Sequence, residues 1–207
     1  LGLFWDEGGD RAGPHGPYEQ SRRFPFYQTQ LEKLEAMGLV YPCFCSRAQL
    51  HAASAPHAGT GEPVYPGTCR TLSPEEVARR SQTRSPALRL QVPAETLSFV
   101  DGHYGLQSQF LPEACGDFIL RRSDGVFAYQ LAVVADDGDM GVTQVVRGND
   151  LLSSTPRQLL LDRLLGYPAP QFFHTPLLLA SDGRRLSKRD GDLSLQGLLA
   201  RGLTPQD

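Results

Sequence analysis

Long apolar runs are missing from this chain. The longest, such as Leu177 to Leu179, are far shorter than the roughly 20 apolar residues that a membrane-spanning helix needs. No signal-peptide pattern opens the sequence either, so a membrane is not among the expected partners. Cysteine is scarce: four residues, two of them separated by a single position, are few for a disulfide-stapled secreted domain. A reduced, cytoplasmic setting is therefore expected. Net charge is also small. A balance of −3 over 207 residues gives no global pull toward nucleic acid, so a polyanion would have to be met by a local basic patch. Lysine is the rarest cation, with only Lys33 and Lys188 against eighteen arginines.

What remains is a 40% apolar composition, ordinary for a globular protein and contrary to disorder. Tyr18 to Val40 carries Phe24, Tyr27, Leu31 and Leu34 at three-to-four spacing, which predicts a helix stopped by Gly38. Tyr41 to Arg70 changes character, with cysteines, prolines, glycines and the tract "HAASAPHAGTGEP". It has too few apolar residues for its own core. Ser73-Pro74-Glu75-Glu76 reads as an N-cap, a first-turn proline and first-turn acids. Leu88 to Val92, Thr96 to Val100, Gly116 to Arg121 and Val142 to Gly148 read as strands, and Phe127 to Asp137 as a buried helix. Thr155 to Leu165 is an amphipathic helix with Thr155 as its expected cap, and "PLLLA" from Pro176 follows as a strand. A last helix is expected from Leu193. Strand–helix–strand order predicts an α/β core with a parallel sheet.

Three groups of residues carry chemistry. The loop after "PLLLA" holds Arg184, Arg185, Ser187, Lys188 and Arg189. At the carboxyl end of a strand, a lysine supplies a compact charge for a phosphate and Ser187 a hydroxyl donor; the plainer reading is a solvated turn. Cys43 and Cys45, with Cys69 across a loop, bring three of the four donors that tetrahedral zinc takes. His51, His57 or the Tyr65 phenol is the fourth, or else the thiols are simply buried, as Cys115 is expected to be. Tyr129 and Arg147 form the third group. An arginine closing an apolar strand needs an anion, either a ligand carboxylate or phosphate or an internal partner among Asp136, Asp137 and Asp150.

Together these segments resemble the glutamyl group of class I aminoacyl-tRNA synthetases. "RLSKR" at Arg185 to Arg189 is similar to the KMSKS signature, with arginine in place of the first signature lysine. "LGLFWDEG", "GPYEQSRR", "YPCFC", "DFILRRSDG", "VVADD", "GVTQVVRG", "STPRQLLL" and "FFHTPLLL" follow in family order. "GVFAYQLAVVADD", "RGNDLLSSTPRQ" and "YPGTCR" are similar to the short paralogues in the group. Those paralogues lack an anticodon-binding domain, activate glutamate without tRNA, and attach it to queuosine in the anticodon of tRNA(Asp).

The resemblance implies a Rossmann-like catalytic core with a small zinc-binding insertion. It implies residues 1–40 as part of the core, 41–115 as the zinc-binding and connective insertion, and 116–207 as the second half with the signature loop. It implies ATP with Mg2+ at Arg185, Ser187 and Lys188, Lys188 acting on the phosphates. Glutamate would sit at Tyr129 and Arg147, the arginine on its α-carboxylate, and structural zinc at Cys43, Cys45, Tyr65 and Cys69. A monomer that meets tRNA is expected. The other activities implied are charging of tRNA(Glu), or tRNA binding without catalysis. The opening "LGLFWDEGG" and the closing "GLTPQD" read as interior to a longer polypeptide, with the HIGH-type signature expected upstream of Leu1.

Overall fold

The structure is a computed structural model, and it describes residues 4–46, 49, 64–179, 183 and 195–204. Helix α1, Phe24–Ala36, forms because Tyr27, Leu31 and Leu34 recur on one face, and Pro25 falls in the first turn, where no N–H is needed. It stops as expected. Gly38 takes a positive φ of 71°, and the N–H of Leu39 returns to the carbonyl of Leu34 at 3.3 Å. Phe24 departs from the predicted stripe: it is half-exposed and meets Phe127 edge-on.

Two sheets follow. The first is antiparallel, in the order β1 (Val40–Cys43), β2 (Ala87–Leu90), β5 (Phe118–Arg121). The second runs β4 (Gly105–Phe110), β3 (Thr96–Asp101), β7 (Gln171–Thr175), β6 (Gln144–Gly148). Only part of it is parallel: β6 pairs with β7 from Gln144↔Gln171 to Gly148↔Thr175, and β3 meets β7 at Asp101↔Phe172. The β3–β4 pair is an antiparallel hairpin. The predicted parallel sheet is thus confined to the junction of β3, β7 and β6.

The remaining helices among the described residues are α2 (Pro74–Ser81), α3 (Leu111–Ala114), α4 (Tyr129–Asp139), α5 (Thr155–Leu165) and α6 (Leu195–Ala200). Ser73 caps α2 as expected, its hydroxyl accepting the Glu76 N–H at 3.3 Å. The cap of α5 is Ser154, not Thr155, because a 3-10 turn over Asn149–Ser154 leads straight into the helix. Thr155 becomes its first residue and is fully buried. Among the described residues of "PLLLA" no strand forms: Leu179 has only an isolated bridge. The strand is the preceding Gln171–Thr175, in which Phe172 and His174 face inward while Gln171 and Phe173 face out.

The core joins Tyr27, Leu31 and Leu34 of α1 to Leu131 and Ala135 of α4, Leu160 and Leu161 of α5, and Leu90 and Leu120 of the first sheet. Each such leucine contributes about 1.5–3 kcal/mol by leaving water. A buried polar knot ties α1 to α4. The Tyr27 hydroxyl donates to Asp136 at 2.8 Å, and Arg23 lies 2.6 Å from Asp136 and 2.7 Å from Asp139. No helix among the described residues is long and apolar enough to cross a membrane.

Candidate functional site

Strand β1 ends on Cys43, and the chain continues through Phe44 and Cys45. Tyr65 returns against the core through a parallel bridge to Gly116, and Cys69 follows in a turn. Gly116 has a φ of +56°, and a β-carbon there would lie 3.0 Å from the Tyr65 carbonyl, so only glycine permits this approach. The sulfurs of Cys43, Cys45 and Cys69 all fall within 4.8 Å of one another, Cys45 and Cys69 at 3.6 Å. The Tyr65 hydroxyl lies 3.4 Å from the Cys43 sulfur and 3.7 Å from that of Cys45, and accepts the Cys69 N–H at 2.8 Å.

All four residues named from the sequence therefore converge. Cys115 does not; it sits in the main core with its thiol donating to the Leu111 carbonyl. His51 and His57 lie outside the described residues. Burial pushes the Cys45 thiol up to about 11 and raises the Tyr65 phenol well above its ordinary value. Burial also works to raise Cys69, but donors from Tyr65 and the Phe44 N–H outweigh it and bring it down. Three sulfurs and a phenol oxygen at this spacing fit a tetrahedral thiophilic cation better than four independent buried groups.

Arg147 and Tyr129 also come together. Arg147 is the fourth residue of β6, and Tyr129 opens α4 with half of its surface exposed. The phenol lies close enough to the guanidinium to favour its charge. Nε of Arg147 donates to Nε2 of His174 at 3.0 Å, and one Nη donates to Thr155 Oγ1 at 3.0 Å and to the Leu151 carbonyl at 3.4 Å. The guanidinium also lies 5.2 Å from the Phe172 ring centre. Burial pushes Arg147 below its usual pKa, countered by Tyr129, Asp137 and Asp150. Asp136 is not its partner, being held by Arg23 and Tyr27.

His174 and Asp101 escaped the sequence reading. Both are buried, and Nδ1 of His174 lies 2.6 Å from Asp101 Oδ2. The other oxygen of Asp101 accepts the N–H groups of His103 and Tyr104 at 3.0 and 2.9 Å. The two residues lie 73 positions apart, and only the β3–β7 junction brings them together. No local signal marks them. The basic loop cannot be placed in the same way: Arg184, Arg185, Ser187, Lys188 and Arg189 fall outside the described residues.

Residues 1–203 match the family described as tRNA synthetases class I (E and Q), catalytic domain. The chain belongs to that family. It is 57% identical over 209 residues to the Glutamyl-Q tRNA(Asp) synthetase of Symbiobacterium thermophilum, covering all of this chain and 64% of the relative. The protein of that name from Nitratidesulfovibrio vulgaris is 55% identical, with 98% of this chain and 63% of the relative covered. Glutamate–tRNA ligase 1 of Halorhodospira halophila is 44% identical over the whole chain, which spans 44% of it. Among solved structures, the glutamate–tRNA synthetase of Elizabethkingia anophelis superposes with a TM-score of 0.76 at 30% identity, over 92% of this chain and 41% of the other. The chain thus spans just under two thirds of the length of the Glutamyl-Q relatives. The α/β catalytic fold expected from the sequence is that of the family.

Proposed function

We propose that the protein activates glutamate with ATP and passes it to queuosine in the anticodon of tRNA(Asp), acting as a cytoplasmic monomer. The observation that carries this reading is the step in identity over the same stretch of chain. It falls from 57% and 55% for relatives named Glutamyl-Q tRNA(Asp) synthetase to 44% for a glutamate–tRNA ligase.

In the first step the α-carboxylate of glutamate attacks the α-phosphorus of ATP, and pyrophosphate leaves. In the second, a hydroxyl of the nucleoside attacks the glutamyl carbonyl, and AMP leaves. Arg147 and Tyr129 suit a carboxylate of the substrate: with Nε and one Nη taken up inside the protein, the other Nη still offers its N–H groups, and a phenol adds a donor. The chemistry favours the side-chain carboxylate over the α-carboxylate expected from the sequence. A guanidinium clamped on the attacking oxygen would withdraw the nucleophile that the reaction needs.

Lys188 is assigned to the charge building on the phosphates of Mg2+-bound ATP, with Ser187 and Arg185 beside it. Cys43, Cys45, Cys69 and Tyr65 would hold zinc. A bound zinc would cross-link β1 to the turn at Cys69, a structural task, since no ligand position is left for substrate.

The test is glutamate-dependent exchange of pyrophosphate into ATP by the complete protein, followed by transfer of labelled glutamate. Exchange without tRNA, then labelling of queuosine-containing tRNA(Asp), is the expected outcome. Exchange that requires tRNA(Glu), with label on its acceptor end, would instead identify a glutamate–tRNA ligase.

A further inference from the structure

We infer that the buried pair Asp101–His174 is the positioning device of Arg147, presenting an unprotonated imidazole nitrogen that fixes the guanidinium for carboxylate binding. The inference rests on the reading of Arg147 as the carboxylate-binding residue and adds the groups that aim it.

The hydrogen bonds determine the tautomer. Arginine Nε–H can only donate, so the His174 nitrogen that meets it at 3.0 Å, Nε2, must offer a lone pair. The Asp101 carboxylate can only accept, so Nδ1, 2.6 Å away, must carry the proton. The imidazole is therefore neutral and held in a single orientation, as the carboxylate behind it requires. Asp101 is suited to that task. Burial works to raise its carboxyl, but the imidazole and the N–H groups of Tyr104, His103 and His174 together hold it at about 2. It stays an acceptor at any working pH.

Burial of the pair supports a positioning role. His174 and Asp101 are 0% and 2% exposed, so neither can touch a substrate, whereas Arg147 is only half-buried and Tyr129 beside it is 47% exposed. Thr155, also fully buried, takes one Nη of the guanidinium at 3.0 Å. The Nε edge and one corner of the fork are thus pinned from the protein side. A forked cation held in this way loses little side-chain entropy on meeting an anion, which is what preorganisation contributes to binding.

The experiment compares two histidine replacements in the complete protein. His174→Gln puts an amide oxygen near Nε2 and keeps the acceptor for Arg147; His174→Asn keeps a donor toward Asp101 and loses that acceptor. Pyrophosphate exchange should give a KM for glutamate within about threefold of the parent for His174→Gln. For His174→Asn it should be raised about tenfold or more, as expected for a lost bond to a charged group, with the smaller change in kcat. In an Arg147→Ala background, His174→Asn should add nothing to KM. Equal impairment by both replacements, or a full additional effect without Arg147, would overturn the inference. Parent-like kinetics in Arg147→Ala alone would instead overturn the carboxylate assignment on which it rests. A readout that needs no variant is the ring 15N spectrum of the parent protein. His174 should show a protonated Nδ1 and a bare Nε2 at neutral pH, and the opposite tautomer or an imidazolium would end the idea.

Discussion

The guanidinium of Arg89 lies 3.8 Å from the centre of the Tyr65 ring, and its Nη1 donates at 2.7 Å to the carbonyl of Asp117. Arg89 belongs to the middle strand of the first sheet and Tyr65 to the cysteine cluster, so one side chain joins the two. Asp117 completes the joint: its buried carboxylate takes the Tyr41 hydroxyl at 2.6 Å, Arg70 at 2.6 Å and the Val92 N–H at 2.9 Å.

Replacing Arg89 by leucine would remove a desolvated cation–π contact worth about 2 kcal/mol and leave the Asp117 carbonyl short of a donor. The melting temperature should fall by roughly 5–10 °C. Bound metal should stay at the parent level, because Arg89 touches the tyrosine ring and none of the donor atoms. Thermal melts with elemental analysis on the same samples check both halves.

The cysteine cluster predicts one zinc per chain in freshly purified protein. Cys69→Ser should leave it substoichiometric and, since structural zinc is worth several kcal/mol, lower the melting temperature by roughly 10 °C. A chelator should do the same to the parent and almost nothing to the variant. Metal-free parent protein melting at the same temperature as the variant would dismiss the site.

Arg147→Ala should reduce kcat/KM for glutamate by at least about tenfold, and Arg147→Lys should recover little of it, because a single ammonium cannot keep the contacts to His174 and Thr155 and still reach the anion. If the arginine binds the side-chain carboxylate, discrimination against glutamine should weaken in parallel. Competition between the two amino acids in the exchange assay measures this directly.

How far the sequence reached depended on how local each signal was. Ser73 at the start of α2 and Gly38 after α1 were legible because a cap and a stop are set by neighbours in the chain. The cysteine cluster was legible from its spacing and from family resemblance together. The hairpin partner β4 was missed because Gln107, Ser108 and Gln109 carry no apolar alternation. "PLLLA" reads as a strand because apolar density outweighs pattern, yet its described residues carry only a bridge at Leu179, whereas the neighbouring "QFFHT" turns Phe172 and a fully buried histidine inward. That histidine is the general difficulty: a lone His and a lone Asp, distant in sequence, carry no mark of meeting.

Lys188→Ala should slow adenylate formation by about two to three orders of magnitude while changing ATP affinity little, because the charge it meets grows in the transition state. Arg185 and Arg189 replacements should be milder. Pre-steady-state measurement of adenylate formation in the complete protein decides it, and a rate within about twofold of the parent would reduce the loop to a solvated turn.

The last prediction concerns Asp162 on α5. Its side chain is almost fully buried, and burial, with the charge of Asp137 as a smaller cause, pushes its carboxyl up to about 7. It lies in the last turn of its helix, where the dipole also disfavours a negative charge. In the unfolded chain the same group titrates near 3.9. Between roughly pH 4 and 7 the folded protein therefore holds a proton that the unfolded chain does not. The sign follows: stability is fully present below the unfolded pKa and is lost as the pH rises through the folded one. Asp137, raised to about 6 by burial and by Asp136, acts in the same direction. Asp162→Asn keeps the shape and removes the titration. At pH 4 the variant should melt within about 2 °C of the parent, and at pH 8 about 5 °C or more above it. An unchanged slope of melting temperature against pH in the variant would mean that Asp162 is ionised in the folded protein throughout, with a partner that meets its charge.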